Sequence, residues 1–149
     1  MNILKPFLKE LIAGSASSDL FKRNLLKEYL QIVVLDYIYS SPKYSRLVFY
    51  GGSCLAHCFG LPRLSEDLDF VDVKKEINIV QLADDLDIYF KKNTDLAPKI
   101  LVQKFRVYLK FPVLHELDLA KSGESDLLFL KVEIFSEFDF CKKFKTEIM

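Results

Sequence analysis

Apolar residues recur every fourth position from Phe21 through Leu25, Tyr29, Val33 and Tyr37, and Leu26, Leu30, Val34 and Ile38 widen the stripe. That spacing predicts one long helix from Asp19 to Tyr39 with a broad buried face. Pro6 near the start and Gly14 past the end of a shorter periodic stretch bracket an earlier helix over Lys5–Ala13, with a serine-rich joint at Gly14–Ser18. A turn at Ser40–Ser45 contains Pro42, and Val48, Phe49 and Tyr50 then mark Arg46–Tyr50 as a short strand. Gly51-Gly52 ends it, Ser53 stands where a helix N-cap belongs, and Gly60 with Pro62 stops that helix after Phe59.

Asp67–Val71 predicts a second strand, and Ile79, Ala83, Leu86 and Phe90 mark the helix that follows, before a turn at Asn93–Pro98. Leu101–Phe111 alternates with period two. Leu101, Phe105, Val107, Leu109 and Phe111 are expected on an apolar face, and Lys104, Arg106, Tyr108 and Lys110 on a wet, basic one. After a loop at Ala120–Asp126, Leu127–Phe135 is apolar on both faces and predicts a central strand, with Lys131 and Glu133 its polar residues. No repeat or low-complexity tract interrupts the chain, so residues 1–149 are expected to form one domain, helical over 1–45 and sheet-based over 46–136.

Composition narrows the function classes. At 149 residues and 50% hydrophobic content the chain is long enough to bury a proper core. Lys+Arg and Asp+Glu both total 21, so no overall positive field draws it to nucleic acid, and any such contact must come from a local patch. The three cysteines, Cys54, Cys58 and Cys141, fit neither a disulfide framework nor a zinc ribbon and point to a reducing, cytoplasmic setting. Lys5, Pro6, Lys9 and Glu10 break the apolar residues of Met1–Ala13, which excludes a signal peptide or membrane span there and suggests a soluble protein.

The candidate chemistry lies in the carboxylates. Asp67 and Asp69 project from one face of a strand, roughly 7 Å apart at the backbone, close enough to share a metal centre. Like charges so placed repel unless a cation neutralises them, although a strand end that has run into solvent would show the same spacing. Glu133, in an otherwise apolar strand, is costly to bury unless it is paired or metal-bound. An ion pair with Lys131 is the plain alternative. Gly51-Gly52-Ser53, leaving a strand to open a helix, allows close backbone approach and offers N–H groups to a phosphate, or else merely caps the helix. Together the turn would hold a triphosphate and the acids its metals. Cys54, His57 and Cys58 have helical spacing that suggests zinc, but a fourth ligand from His115 or Cys141 lacks motif spacing, so packing is the favoured reading. The basic face of Lys104, Arg106, Tyr108 and Lys110 is either a guide for a nucleic-acid acceptor or a solvated sheet face.

Phe49-Tyr-Gly-Gly-Ser-Cys-Leu55 and Arg63-Leu-Ser-Glu-Asp-Leu-Asp-Phe70 resemble the motif I segments of polymerase β-type nucleotidyltransferases, in the version carried by the AbiEii/AbiGii toxin family. The resemblance is strong over Val48–Val71 and implies an α/β (α+β) nucleotidyltransferase fold, a small mixed sheet flanked by helices. It implies that Gly51, Gly52 and Ser53 contact NTP phosphates, with Arg63, Ser65 and Lys131 as further substrate contacts. Asp67, Asp69 and Glu133 would ligate Mg²⁺, two ions in all. It further implies transfer of a nucleotide to an acceptor such as RNA or tRNA, and a cognate antitoxin protein as partner. Family members continue into a carboxy-terminal helical region with a lysine- and aspartate-bearing motif that is expected to be absent from this chain. Two other functions therefore stand beside the toxin enzyme: a catalytically impaired module that binds nucleotide or a partner, and an antibiotic-modifying nucleotidyltransferase.

Overall fold

A computed structural model describes residues 2–14, 16–60 and 66–136 of the chain. The elements run α1 (Lys5–Ala13), α2 (Asp19–Ser40), β1 (Val48–Tyr50), α3 (Gly51–Phe59), β2 (Asp67–Val71), α4 (Ile79–Asn93), β3 (Lys99–Gln103), β4 (Arg106–Pro112) and β5 (Leu127–Phe135). The starts of α1, α2 and α4 are fixed by side-chain acceptors for the otherwise unpaired first-turn N–H groups. Ser18 accepts from the N–H of Phe21 in α2, and Asn78 accepts from Val80 and Gln81 in α4. The start of α1 is capped from far along the chain, where the Asp95 carboxylate accepts from the N–H groups of Leu4 and Lys5.

Five strands form one mixed sheet in the order β1-β2-β5-β4-β3. β2 and β5 run parallel at its centre, and the other pairings are antiparallel. Because side chains alternate across a strand, the register sorts the sheet into two faces. One carries Leu68, Phe70, Val107, Leu109, Phe111, Leu128, Leu130 and Val132, all buried, and joins Leu26, Leu30, Val34 and Ile38 of α2 and Leu82, Leu86 and Phe90 of α4 in a single core. The other face carries Asp67, Asp69, Lys131, Glu133, Arg106 and Tyr108. No helix among the described residues is long and apolar enough to cross a membrane.

Two sequence expectations are corrected. Leu101–Phe111 is a hairpin, not one strand: Gln103 pairs with Arg106 across a two-residue turn at Lys104-Phe105, with Lys104 at φ 52°. The turn inverts the alternation, so Leu101 pairs with Tyr108 on the open face and is 40% exposed, while Ile100 and Val102 turn inward. In α2 the two four-residue rows are neighbours on the helix surface, and only one can point squarely at the sheet. Leu26, Leu30, Val34 and Ile38 take that position at 0% exposure, whereas Phe21 is 48% exposed and Tyr29, Val33 and Tyr37 lie along the flank.

The rings of Phe90 on α4 and Phe111 on β4 meet edge to face, 5.2 Å between centroids, and both are fully buried. Truncating Phe90 to Ala leaves a cavity that rigid neighbours only partly fill. Phe90→Ala is expected to lower stability by about 3–5 kcal/mol, read as the shift of the urea midpoint at unchanged slope.

Candidate active site

The site begins where β1 turns into α3. Tyr50, not Ser53, is the N-cap, in extended backbone and without a side-chain cap bond. Gly51 opens the helix at φ +82°, a region that L side chains rarely adopt. A Cβ there would lie 2.7 Å from Oδ2 of Asp69, so only glycine lets the first turn of α3 come this close to the carboxylate on the neighbouring strand. Ser53 is the third residue of the helix and fully buried, and its hydroxyl donates to the main-chain carbonyl of Asp67. Its side chain therefore fastens the glycine turn to the acid strand, and its N–H belongs to the first helical turn, where anions are favoured.

The register of the central pair then brings the acids together. Asp69 sits directly opposite Glu133, and Asp67 opposite Lys131, on strands spaced about 4.8 Å apart. All four side chains share the open face. On the far side of β5, Arg106 pairs with Glu133 and Tyr108 with Lys131. The Lys131 ammonium lies 3.1 Å from Asp67 Oδ2 and 2.9 Å from Glu133 Oε1. Arg106 Nε approaches Glu133 Oε1 at 3.7 Å, too long for a hydrogen bond, and is a buried donor without a partner among the described residues. An open depression of about 170 Å³ beside the acids is bounded by Lys27, Glu66, Asp67, Tyr108, Phe129 and Lys131.

Electrostatics single out Asp69. Burial first, then the neighbouring charges of Glu133 and Asp67, push its carboxyl up to about 6, against the opposing pull of Lys131. Lys131 shifts upward, chiefly through its hydrogen bond to Glu133 and secondarily through Asp67, although burial acts the other way. The face thus holds three carboxylates, one tightly shared ammonium and the Arg106 guanidinium, which approaches Glu133.

The donor chemistry fits a magnesium site. Three carboxylates on one dry-backed face are hard oxygen ligands of the kind Mg²⁺ prefers. Among the described residues no three His, Cys, Asp or Glu side chains are already gathered tightly enough to enclose an ion, and the ammonium of Lys131 stands between Asp67 and Glu133.

Other candidates separate from this centre. Arg63, Ser65 and Cys141 lie outside the described residues. His57 Nε2 is 2.8 Å from Oε1 of Gln31, itself fully buried on α2, which ties α3 to the long helix. In the hollow of about 310 Å³ near Lys43, Arg46 and Asp72, two of the lining cations have partners of their own, Arg46 with Glu76 and Lys43 with Asp85. Two participants escaped the sequence reading. The contact of Arg106 with Glu133 depends on the register of the hairpin, and Lys27 reaches the depression from α2, where it pairs with Glu66 at 3.6 Å, a contact between elements that the spacing along the helix does not signal.

A mixed sheet flanked by helices, with a Gly-Gly-Ser helix start set against two aspartates on one strand and a glutamate on the next, defines a nucleotidyltransferase-like domain. A family model described as nucleotidyl transferase AbiEii toxin, type IV toxin–antitoxin system, matches residues 33–137, and the chain belongs to that family. No curated protein matches the chain. No solved structure does either.

Proposed function

We propose that the chain is a Mg²⁺-dependent nucleotidyltransferase of a toxin–antitoxin pair, moving a nucleotidyl group from an NTP to an acceptor hydroxyl, with RNA such as tRNA as the acceptor. The observation that carries this reading is the pairing of Asp69 with Glu133, with Asp67 on the same face and Gly51 in contact with Asp69. Membership of the AbiEii family supports it. A cognate antitoxin protein is the partner that the family description suggests.

In this reading the first-turn N–H groups of Gly51, Gly52 and Ser53 hold phosphate oxygens at the positive end of α3. Asp67, Asp69 and Glu133 would hold the metal, which supplies charge neutralisation for the triphosphate and the leaving pyrophosphate. A triphosphate held at the helix start would lie beside β2, with its α-phosphorus toward the acids. The acceptor oxygen forms a bond to that phosphorus, its proton passes to a carboxylate of the trio, and the bond to pyrophosphate breaks. Lys131 and Arg106 flank Glu133 and are the cations nearest the developing negative charge.

The test is incubation of the full chain with each labelled NTP, Mg²⁺ and total RNA. Label is expected in RNA with at least one NTP and is lost on chelation. No label with any of the four NTPs contradicts the proposal.

A further inference from the structure

We infer that Lys131 is a built-in occupant of the divalent-cation seat, held between Asp67 and Glu133 until a metal displaces it; this rests on reading those carboxylates as metal ligands. The geometry is specific. One ammonium lies 3.1 Å from Asp67 Oδ2 on β2 and 2.9 Å from Glu133 Oε1 on β5, and so bridges the two central strands at the level where the acids converge. Lys131 is placed there by register, directly opposite Asp67 and two residues before Glu133 on the same face. A bridging ammonium and a bridging Mg²⁺ cannot both use these oxygens, because the metal needs them at about 2.0–2.1 Å and the like charges repel.

This occupancy offsets part of the repulsion among three carboxylates on one sheet face. Asp67 and Glu133 share the one ammonium of Lys131, while Asp69 makes no ion pair among the described residues. It also assigns a direction of movement. A cation entering beside Asp69 competes for Asp67 and Glu133, and the freed lysine remains on the open face beside Tyr108, within the depression where a triphosphate would arrive. Lys131 is in these terms a positioning residue: it keeps the two ligand side chains aimed at a common point and withdraws when the metal comes.

Two measurements on the full chain test this, both read without turnover. Mn²⁺ binding followed by electron paramagnetic resonance is expected to be roughly tenfold tighter, or more, in Lys131→Met than in the parent, because one adjacent positive charge disfavours a cation at a carboxylate by that order. Circular dichroism confirms that the variant is folded. The second measurement needs no variant: acylation of Lys131 by an amine-reactive ester, mapped by mass spectrometry, is expected to rise several-fold when Mn²⁺ is added, and not to rise in Glu133→Gln. If the parent binds Mn²⁺ while Lys131→Met binds it no tighter and Mn²⁺ leaves the labelling of Lys131 unchanged, Lys131 is a structural ion pair and the inference fails alone. If neither protein binds Mn²⁺, the carboxylate cradle fails and the inference falls with it.

Discussion

Asp69→Asn is expected to reduce nucleotidyl transfer by roughly a thousandfold or more, about 4 kcal/mol of transition-state stabilisation, while making the metal-free protein more stable at neutral pH. The two effects share one cause. Asp69 is a carboxyl driven into a partly buried position beside Glu133 and Asp67, which raises its pKa from 3.8 to about 6. A folded-state pKa above the unfolded value means that the native state binds the proton more tightly. The stability so gained is fully present below about pH 3.8 and is lost as pH rises through about 6. Above that range the ionised group costs about 1–2 kcal/mol once solvent screening of a partly buried side chain is allowed for. Asparagine removes that cost. In EDTA at pH 7.5 the variant is therefore expected to melt roughly 3–6 °C higher than the parent, with no gain at pH 3.5. A variant that melts lower at pH 7.5 would show that Asp69 is held by a favourable contact rather than against repulsion.

Gly51→Ala should have the second-largest effect, and it reports on the contact between the glycine turn and the acids. Its backbone lies at φ +82°, and the new methyl carbon would stand 2.7 Å from Asp69 Oδ2. The left-handed backbone alone costs about 1–2 kcal/mol. The carboxylate must also move away from the helix start, and a displacement on the order of 1 Å at a reacting centre costs about a hundredfold in rate. Gly60 supplies the control. It has a similar φ of +73°, but among the described residues a methyl group there meets nothing within 4 Å. Gly60→Ala is accordingly expected to lose about 1–2 kcal/mol of stability with transfer activity within a few-fold of the parent, whereas Gly51→Ala loses both. Equal activity losses in the two variants would refute a specific role for the Gly51–Asp69 contact.

Much of this arrangement is legible along the chain because its signals are local. Pro6 and Gly14 bracket α1, and the apolar run Leu127–Phe135 coincides with β5 and is central as expected. The spacing of Asp67 and Asp69 puts both on one face by strand geometry alone. Glu133 on that same face required the pairing of β2 with β5, which no periodicity reveals and which the resemblance to the nucleotidyltransferases supplied.

The misreadings are equally physical. Lys104-Phe105 contains no Gly, Asn or Pro, so the hairpin turn gives no compositional sign, yet Lys104 adopts the left-handed backbone that such a turn requires. Alternation continues on both sides of it, and the inversion of faces becomes visible only in the pairing of Leu101 with Tyr108. Ser53 has the residue type of an N-cap, but the freedom of Gly51 lets the helix begin three residues earlier, leaving the hydroxyl for Asp67. Lys131 was readable either as a substrate contact or as a partner of Glu133. It sits between Glu133 and Asp67 because parallel register places it opposite one and beside the other.

Diffraction from crystals of the chain soaked with Mn²⁺ and a non-hydrolysable NTP analogue, recorded at the manganese edge, tests the central claim most directly. Anomalous density is expected within about 2.0–2.3 Å of carboxylate oxygens of Asp67, Asp69 and Glu133, with the triphosphate against the start of α3. Manganese bound elsewhere, with Lys131 still bridging Asp67 and Glu133 beneath a bound nucleotide, would contradict it.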